Sequence, residues 1–172
     1  MTYAHDTVSR ASDDGATTGT AVRLAAAAAV LVGGLVHLQL YFDGYRDFPD
    51  VNFGRSFLLN GFGSVVIAAA LVLRREAPIR IAAAGMLVGT LIAFLLTRND
   101  VEVFGFTERG LNPSPQALLT LVVEIVGLVL IGATFVPAIG PGRNLPLIAA
   151  IPAVAAILLV AVVGSALWAR TD

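Results

Sequence analysis

VRLAAAAAVLVGGLVHLQLYFDGYRDFPD, residues 22–50, decides the class of this chain. The stretch 22–42 is almost wholly apolar. It matches the roughly 20 residues a helix needs to cross about 30 Å of hydrocarbon. It then breaks into Asp43, Gly44, Arg46, Asp47, Pro49 and Asp50, as a chain leaving lipid for water would. Lipid offers the backbone no hydrogen-bond partners, so a spanning segment of this kind is helical.

Four further apolar runs follow, at about 56–73, 79–97, 116–136 and 145–169. They are too continuous for a barrel, which needs alternating strands of about ten residues. RREAP, NPSPQ and PAIGPGRNLP separate them. Within NPSPQ, Ser114 is placed to cap the fourth helix and Pro115 to begin it. Pro152 falls inside the fifth run. The fold expected is therefore all-α: a polytopic transmembrane helix bundle of about five spans, forming one domain over 22–170. Residues 1–21 are polar, small and aperiodic, and read as a disordered tail. Their slight acidity is unlike the basic start of a signal peptide, so the first run is expected to remain as a span.

Composition supports the membrane class. Of the 172 residues 57% are hydrophobic and 13% charged, with a mean hydropathy of +0.84. Soluble domains run near 45–50% apolar and about 25% charged. A net charge of −1 leaves no basic footprint for nucleic acid. All 11 cations are Arg, which with the heavy Ala, Gly and Val content is the usage of a high-GC prokaryotic genome. Cysteine is absent, which excludes disulfides, thiolate nucleophiles, iron–sulfur ligation and c-type haem attachment.

Arg74, Arg75 and Arg80 crowd the turn after the second run. By the positive-inside rule this turn and the N-terminus are cytoplasmic and the C-terminus is outside. The outer side then collects most of the aromatic residues, from Tyr41, Phe42, Tyr45 and Phe48 to Phe104, Phe106 and Trp168. Such rings favour the headgroup level. The first and third loops are expected to cover the outer mouth of the bundle.

Three runs carry polar residues at a spacing of four: His37, Tyr41 and Tyr45; Ser56, Asn60 and Ser64; Gln116, Thr120 and Glu124. Residues four apart share a helix face, drifting about 40° per step. Exposing such groups to lipid costs several kcal/mol for an ion and less for a hydroxyl, so the stripes are expected to face one another. Glu124 is the carboxylate inside a span; burial favours its neutral form unless His37, Arg46, Arg55 or Arg98 holds the charge. His37, Tyr41, Asn60, Thr120 and Glu124 are thus candidates for ligand binding or proton relay. A purely structural role is the competing reading, since interhelical polar contacts in membranes hold helices together at about 0.6 kcal/mol each. Gly85, Gly89 and Ala93 form a small-xxx-small face suited to helix packing.

No phosphate loop, HExxH or Ser/His/Asp arrangement is present, so no catalytic residue or cofactor is assigned. Haem b would need a second intramembrane histidine from another protomer or subunit, since the other histidine is His5. With Met1 and Met86 as the methionines and no Cys, copper has no favoured ligands. The expected role is an accessory or scaffold protein of the cell membrane, in contact with the bilayer and with a homo-oligomer or larger complex as partner. The alternative is a binding or proton-relay module whose outward pocket takes a quinone-like, lipid-like or cationic ligand.

HLQLYFDGYR, RSFLLNGFG and FGFTERGL resemble segments of small multi-span membrane proteins of unknown function from high-GC bacteria, over about residues 33–125. The resemblance implies an architecture and no activity. In size and hydropathy the chain is also similar to four-helix DoxX-like membrane proteins.

Overall fold

The computed structural model describes the backbone of residues 3–108 and 115–168, and the side chains of 16–108, 116–157, 159 and 163. Among the described residues the fold has five helices: α1 (Tyr3–Phe42), α2 (Val51–Leu73), α3 (Ala77–Arg98), α4 (Pro115–Ala133) and α5 (Leu147–Trp168). No sheet occurs among the described residues. Four helical stretches of the described residues are long and apolar enough to cross a membrane: Ala16–Phe42, Val51–Leu73, Ala77–Arg98 and Gln116–Ala133. α5 is a fifth helix of 22 residues, whose described side chains run apolar from Leu147 to Ile157. The protein is a multi-pass membrane helix bundle.

Contacts arrange α1 to α4 as a ring, up-down-up-down. α1 packs on α2 and α4, α3 bridges α4 and α2, and α5 lies outside against α1 and α2. α1 carries most of the core: Ala26, Ala27, Ala29, Val30, Leu31 and Val36 are buried. Its short side chains let neighbours approach. A Cβ at Gly34 would overlap Ser64 of α2, and one at Gly61 would overlap Leu38 of α1. On the other side, a Cβ at Gly127 of α4 would lie 3.3 Å from Ala29 and 3.1 Å from Leu87. These are the bundle's tight crossings. At Gly85 and Gly89, expected as packing positions, an added Cβ meets nothing within 4 Å.

Two boundaries differ from the sequence expectation. α1 is helical from Tyr3, into the stretch that composition marks as a tail. From Ala16 onward it is docked: Thr20 Oγ1 donates to the Ala16 carbonyl at 2.8 Å and accepts from the Arg143 amide at 2.9 Å. Glycine at position 19 permits this, since a Cβ there would sit 2.6 Å from the Gly142 nitrogen. α2 begins at Val51, before the apolar run, because Asp50 accepts from the Asn52 amide at 2.9 Å as an N-cap. α4 begins at Pro115 as expected, while Ser114 lies outside the described residues.

Arginines close one end of the ring around the α4–α5 connection. Arg23 is fully buried and donates to the carbonyls of Pro141 (3.1 Å) and Arg143 (2.5 Å). Arg75 reaches the Gly142 carbonyl at 3.3 Å. Arg80 donates to the Thr134 carbonyl at 2.9 Å and lies 4.1 Å over the Phe135 ring. Loop carbonyls lack helical partners, and those just past a helix C-terminus carry its negative dipole end, so guanidinium donors suit them. Arg23→Met should therefore cost about 3 kcal/mol, the loss of two charge-assisted bonds to part-buried carbonyls. The loss is read from the unfolding midpoint in detergent, and a change below ~1 kcal/mol would mean the loop holds without this clamp.

Candidate ligand-binding site

At the opposite end of the ring, α2 and α3 diverge around a cavity of about 520 Å³. α2 lends Ser56, Phe57, Leu59 and Asn60; α3 lends Gly85 to Arg98 along one face; α1 and α4 supply His37, Leu40, Ala117 and Thr120. Leu59 is 72% exposed, and Gly85 and Gly89 are exposed as well, so the cavity opens sideways between α2 and α3. The bare backbone at these glycines widens it.

The roof is aromatic. After α1 ends, Gly44 takes a left-handed φ of 137° and the chain turns through a short 3-10 segment, Tyr45–Asp47. This brings Tyr45 and Phe48 over the start of α2. From the other side comes a small hairpin in which Val103 and Phe106 exchange two backbone bonds of 3.0 Å. Phe104 and Gly105 at its tip have φ of 53° and 73°, the left-handed pair of a type I′ turn. Phe106 stacks on Phe53 at 4.5 Å, and Tyr45 meets Phe53, Phe57 and Phe106 at 5.0, 4.8 and 5.8 Å. The first and third loops thus meet through interlocked rings.

A charged pair fixes the hairpin. Arg98 Nη2 donates to Glu108 Oε2 at 2.9 Å, and the guanidinium lies 4.0 Å over Phe94. The Glu108 amide also donates to the Thr97 carbonyl at 3.1 Å. Burial pushes the Tyr45 phenol up from its ordinary value; Glu108 adds to this and Arg98 opposes it. Its hydroxyl therefore stays protonated at neutral pH.

Below the roof the polar groups fall into two sets. On the α2–α3 wall, Asn60 Nδ2 donates to Thr90 Oγ1 at 2.8 Å and Ser64 Oγ donates to Asn60 Oδ1 at 3.3 Å. On the α1–α4 wall, His37 is buried, bonded through Nδ1 to the Gly33 carbonyl at 2.8 Å and packed on Phe57 at 5.1 Å. Thr120 Oγ1 is buried with no hydrogen-bond partner. Glu124, one turn further along α4, is 2% exposed, and its Oε2 has no partner either. It packs against α1 at Gly33, whose added Cβ would lie 4.0 Å from Glu124 Cγ.

The cavity therefore gathers His37, Asn60 and Thr120 but not Tyr41 or Glu124. Tyr41 is half-buried and sets its ring edge-on to Phe42 at 5.2 Å. The 40° drift of a four-residue stripe turns it aside, whereas Tyr45 returns through the loop. Glu124 lies in the α1–α4 interface. The arginines considered for it are engaged or exposed: Arg46 with Asp47, Arg98 with Glu108, and Arg55 exposed. Gly85 and Gly89 are cavity wall. Thr90, Phe94, Arg98 and Glu108 belong to the site without having been singled out as its residues. Thr90 stands between the apolar Met86 and Phe94 at a spacing of four, so no polar stripe marks it in the sequence. Among the described residues no three His, Asp or Glu groups come together as a metal site would require.

A buried carboxyl with an orphaned oxygen carries a desolvation cost and returns little to the fold. Glu124→Met should raise stability by about 1–2 kcal/mol, by removing that unpaired group at similar volume. A higher unfolding midpoint in detergent is the expected reading, and a loss would show that Glu124 holds α1 to α4.

No protein-family model matches this chain, and neither a curated protein nor a solved structure does. The resemblances seen in the sequence accordingly place it in no family.

Proposed function

We propose that the protein is a membrane-embedded binding module whose cavity takes a lipid-soluble ligand directly from the bilayer. The supporting observation is the cavity itself: about 520 Å³, edged by Gly85, Gly89 and the exposed Leu59, with His37 and Thr120 at its inner wall. That volume lies in the usual range of about 300–1,000 Å³ for small-molecule sites. A side opening suits a molecule dissolved among acyl chains, and the aromatic roof suits a flat head group, quinone-like or lipid-like. A cation is disfavoured, because Arg98 sits in the wall and already occupies Glu108. With the arginine-clamped end in the cytoplasm, the aromatic end faces outward in a prokaryotic cell membrane.

A scaffold or accessory role, alone or within an oligomer, draws on another observation. Asn60, Ser64 and Thr90 bond one another across α2 and α3 and need no ligand. Gentle solubilisation followed by mass spectrometry of co-purified molecules separates the two. A ring-headed lipid recovered at near one per chain supports binding. Bulk phospholipid alone, or a second polypeptide in constant ratio, supports the scaffold.

A further inference from the structure

The inner wall constrains what the ligand's head group must carry. His37 Nδ1 lies 2.8 Å from the Gly33 carbonyl oxygen, which can only accept. Nδ1 therefore holds the proton, and in the neutral ring Nε2, on the far side, presents a lone pair. No described residue donates to that lone pair. The imidazole is 7% exposed and lines the cavity. Thr120, from the adjacent helix α4, is 6% exposed, lines the same cavity and has an unpartnered Oγ1. By contrast the Asn60 amide across the cavity is taken up by Thr90 and Ser64.

We infer that the ligand presents a hydroxyl to this wall, donating to His37 Nε2 and accepting from Thr120 Oγ1, so that the cavity takes a phenol or hydroquinone in preference to the quinone. The inference rests on the binding reading above and narrows its ligand class. A quinone offers only acceptors, and its carbonyl would set a lone pair against that of Nε2 while leaving the imidazole unsatisfied. A carboxylate fails for the same reason. An ammonium could donate, but the acid in the lining, Glu108, is held by Arg98 at 2.9 Å. A hydroxyl both donates and accepts, and it enters a dry pocket at lower cost than any ion.

The test uses the full chain in lipid nanodiscs, ¹⁵N-labelled at histidine and carrying His5→Gln, so that one imidazole reports. Under anaerobic conditions it is titrated with 2,3,5-trimethylhydroquinone, its dimethyl ether and the corresponding quinone. Before titration Nε2 should show the resonance of an unprotonated nitrogen and Nδ1 that of a protonated one. The hydroquinone should shift Nε2 and bind about tenfold or more tighter than the ether or the quinone, the effect of one donor bond to a buried acceptor. His37→Phe, which keeps a ring against Phe57, should bring the hydroquinone down to its ether. Equal affinity for hydroquinone and quinone, or a protonated Nε2 in the free protein, overturns the hydroxyl assignment and leaves the cavity reading standing. Binding of none of the three compounds overturns both.

Discussion

Valine at Gly34 is expected to keep α1 and α2 from closing on each other. A Cβ at that position overlaps the Cβ of Ser64 and comes 2.6 Å from its Oγ. The Cβ cannot swing away, because it is fixed to the backbone of a helix packed against α1 along much of its length, with Ser64 buried there. The two backbones must separate, opening the core around Leu31, Ala68 and Leu71. Overpacking of a close-packed contact costs about 1–3 kcal/mol, and a clash set by backbone position belongs at or above the top of that range. Gly61→Val should behave alike, since it strikes Leu38 at the same crossing, and the double variant should cost less than the sum. Gly85→Ala and Gly89→Ala are the controls. Both glycines lie inside α3 facing open space, so alanine should gain about 0.5–1 kcal/mol from helix propensity. Unfolding midpoints in one detergent decide the matter, and equal losses at positions 34 and 85 would sink this account of the packing.

Phenylalanine at Gly89 is expected to abolish ligand binding while leaving the bundle folded. The position is exposed, an added Cβ meets nothing within 4 Å, and the cavity lies directly beyond. A ring there fills the space between α2 and α3. Affinity for a ring-headed amphiphile should fall roughly a hundredfold or more, about 3 kcal/mol. The unfolding midpoint should stay level, because the ring enters existing space. Co-purified ligand measured beside the midpoint gives both readings at once. Unchanged ligand content would mean that the molecule binds elsewhere or that the protein acts as a scaffold.

Much of the architecture is legible from hydropathy alone. The spans at 79–97 and 116–136 fall within a few residues of α3 and α4, because a helix must stay in lipid where the apolar run does. The clustering of aromatic rings between the first and third loops is legible for the same reason. The site is legible only in part. His37, Asn60 and Thr120 reach one cavity as their stripes imply, yet Tyr41 shares the stripe and misses it. Gly85 and Gly89 satisfy the small-xxx-small pattern and yet line a void, whereas Gly34 and Gly61, with Val30, Leu38, Phe57 and Val65 four residues away, carry the tight crossing. In Ala- and Gly-rich spans that pattern recurs on several faces, so spacing cannot select the face that meets a partner. Arg98 sits at the foot of its helix like a topology signal, and its pairing with Glu108 depends on a hairpin whose turn is set by two left-handed residues.

The sequence by itself determined that this chain is a multi-pass helical membrane protein with an arginine-dense turn at 74–80 and most of its aromatic residues gathered around two loops, because transfer to lipid is a sum over consecutive residues. Only the tertiary structure decided which small residues are tight crossings and which are cavity wall, that Glu124 is enclosed beside Gly33, and that Arg23 and Arg80 clamp the α4–α5 connection. Those outcomes depend on the azimuth of each helix and on what stands opposite it, and neither quantity is written in the order of residues along one chain.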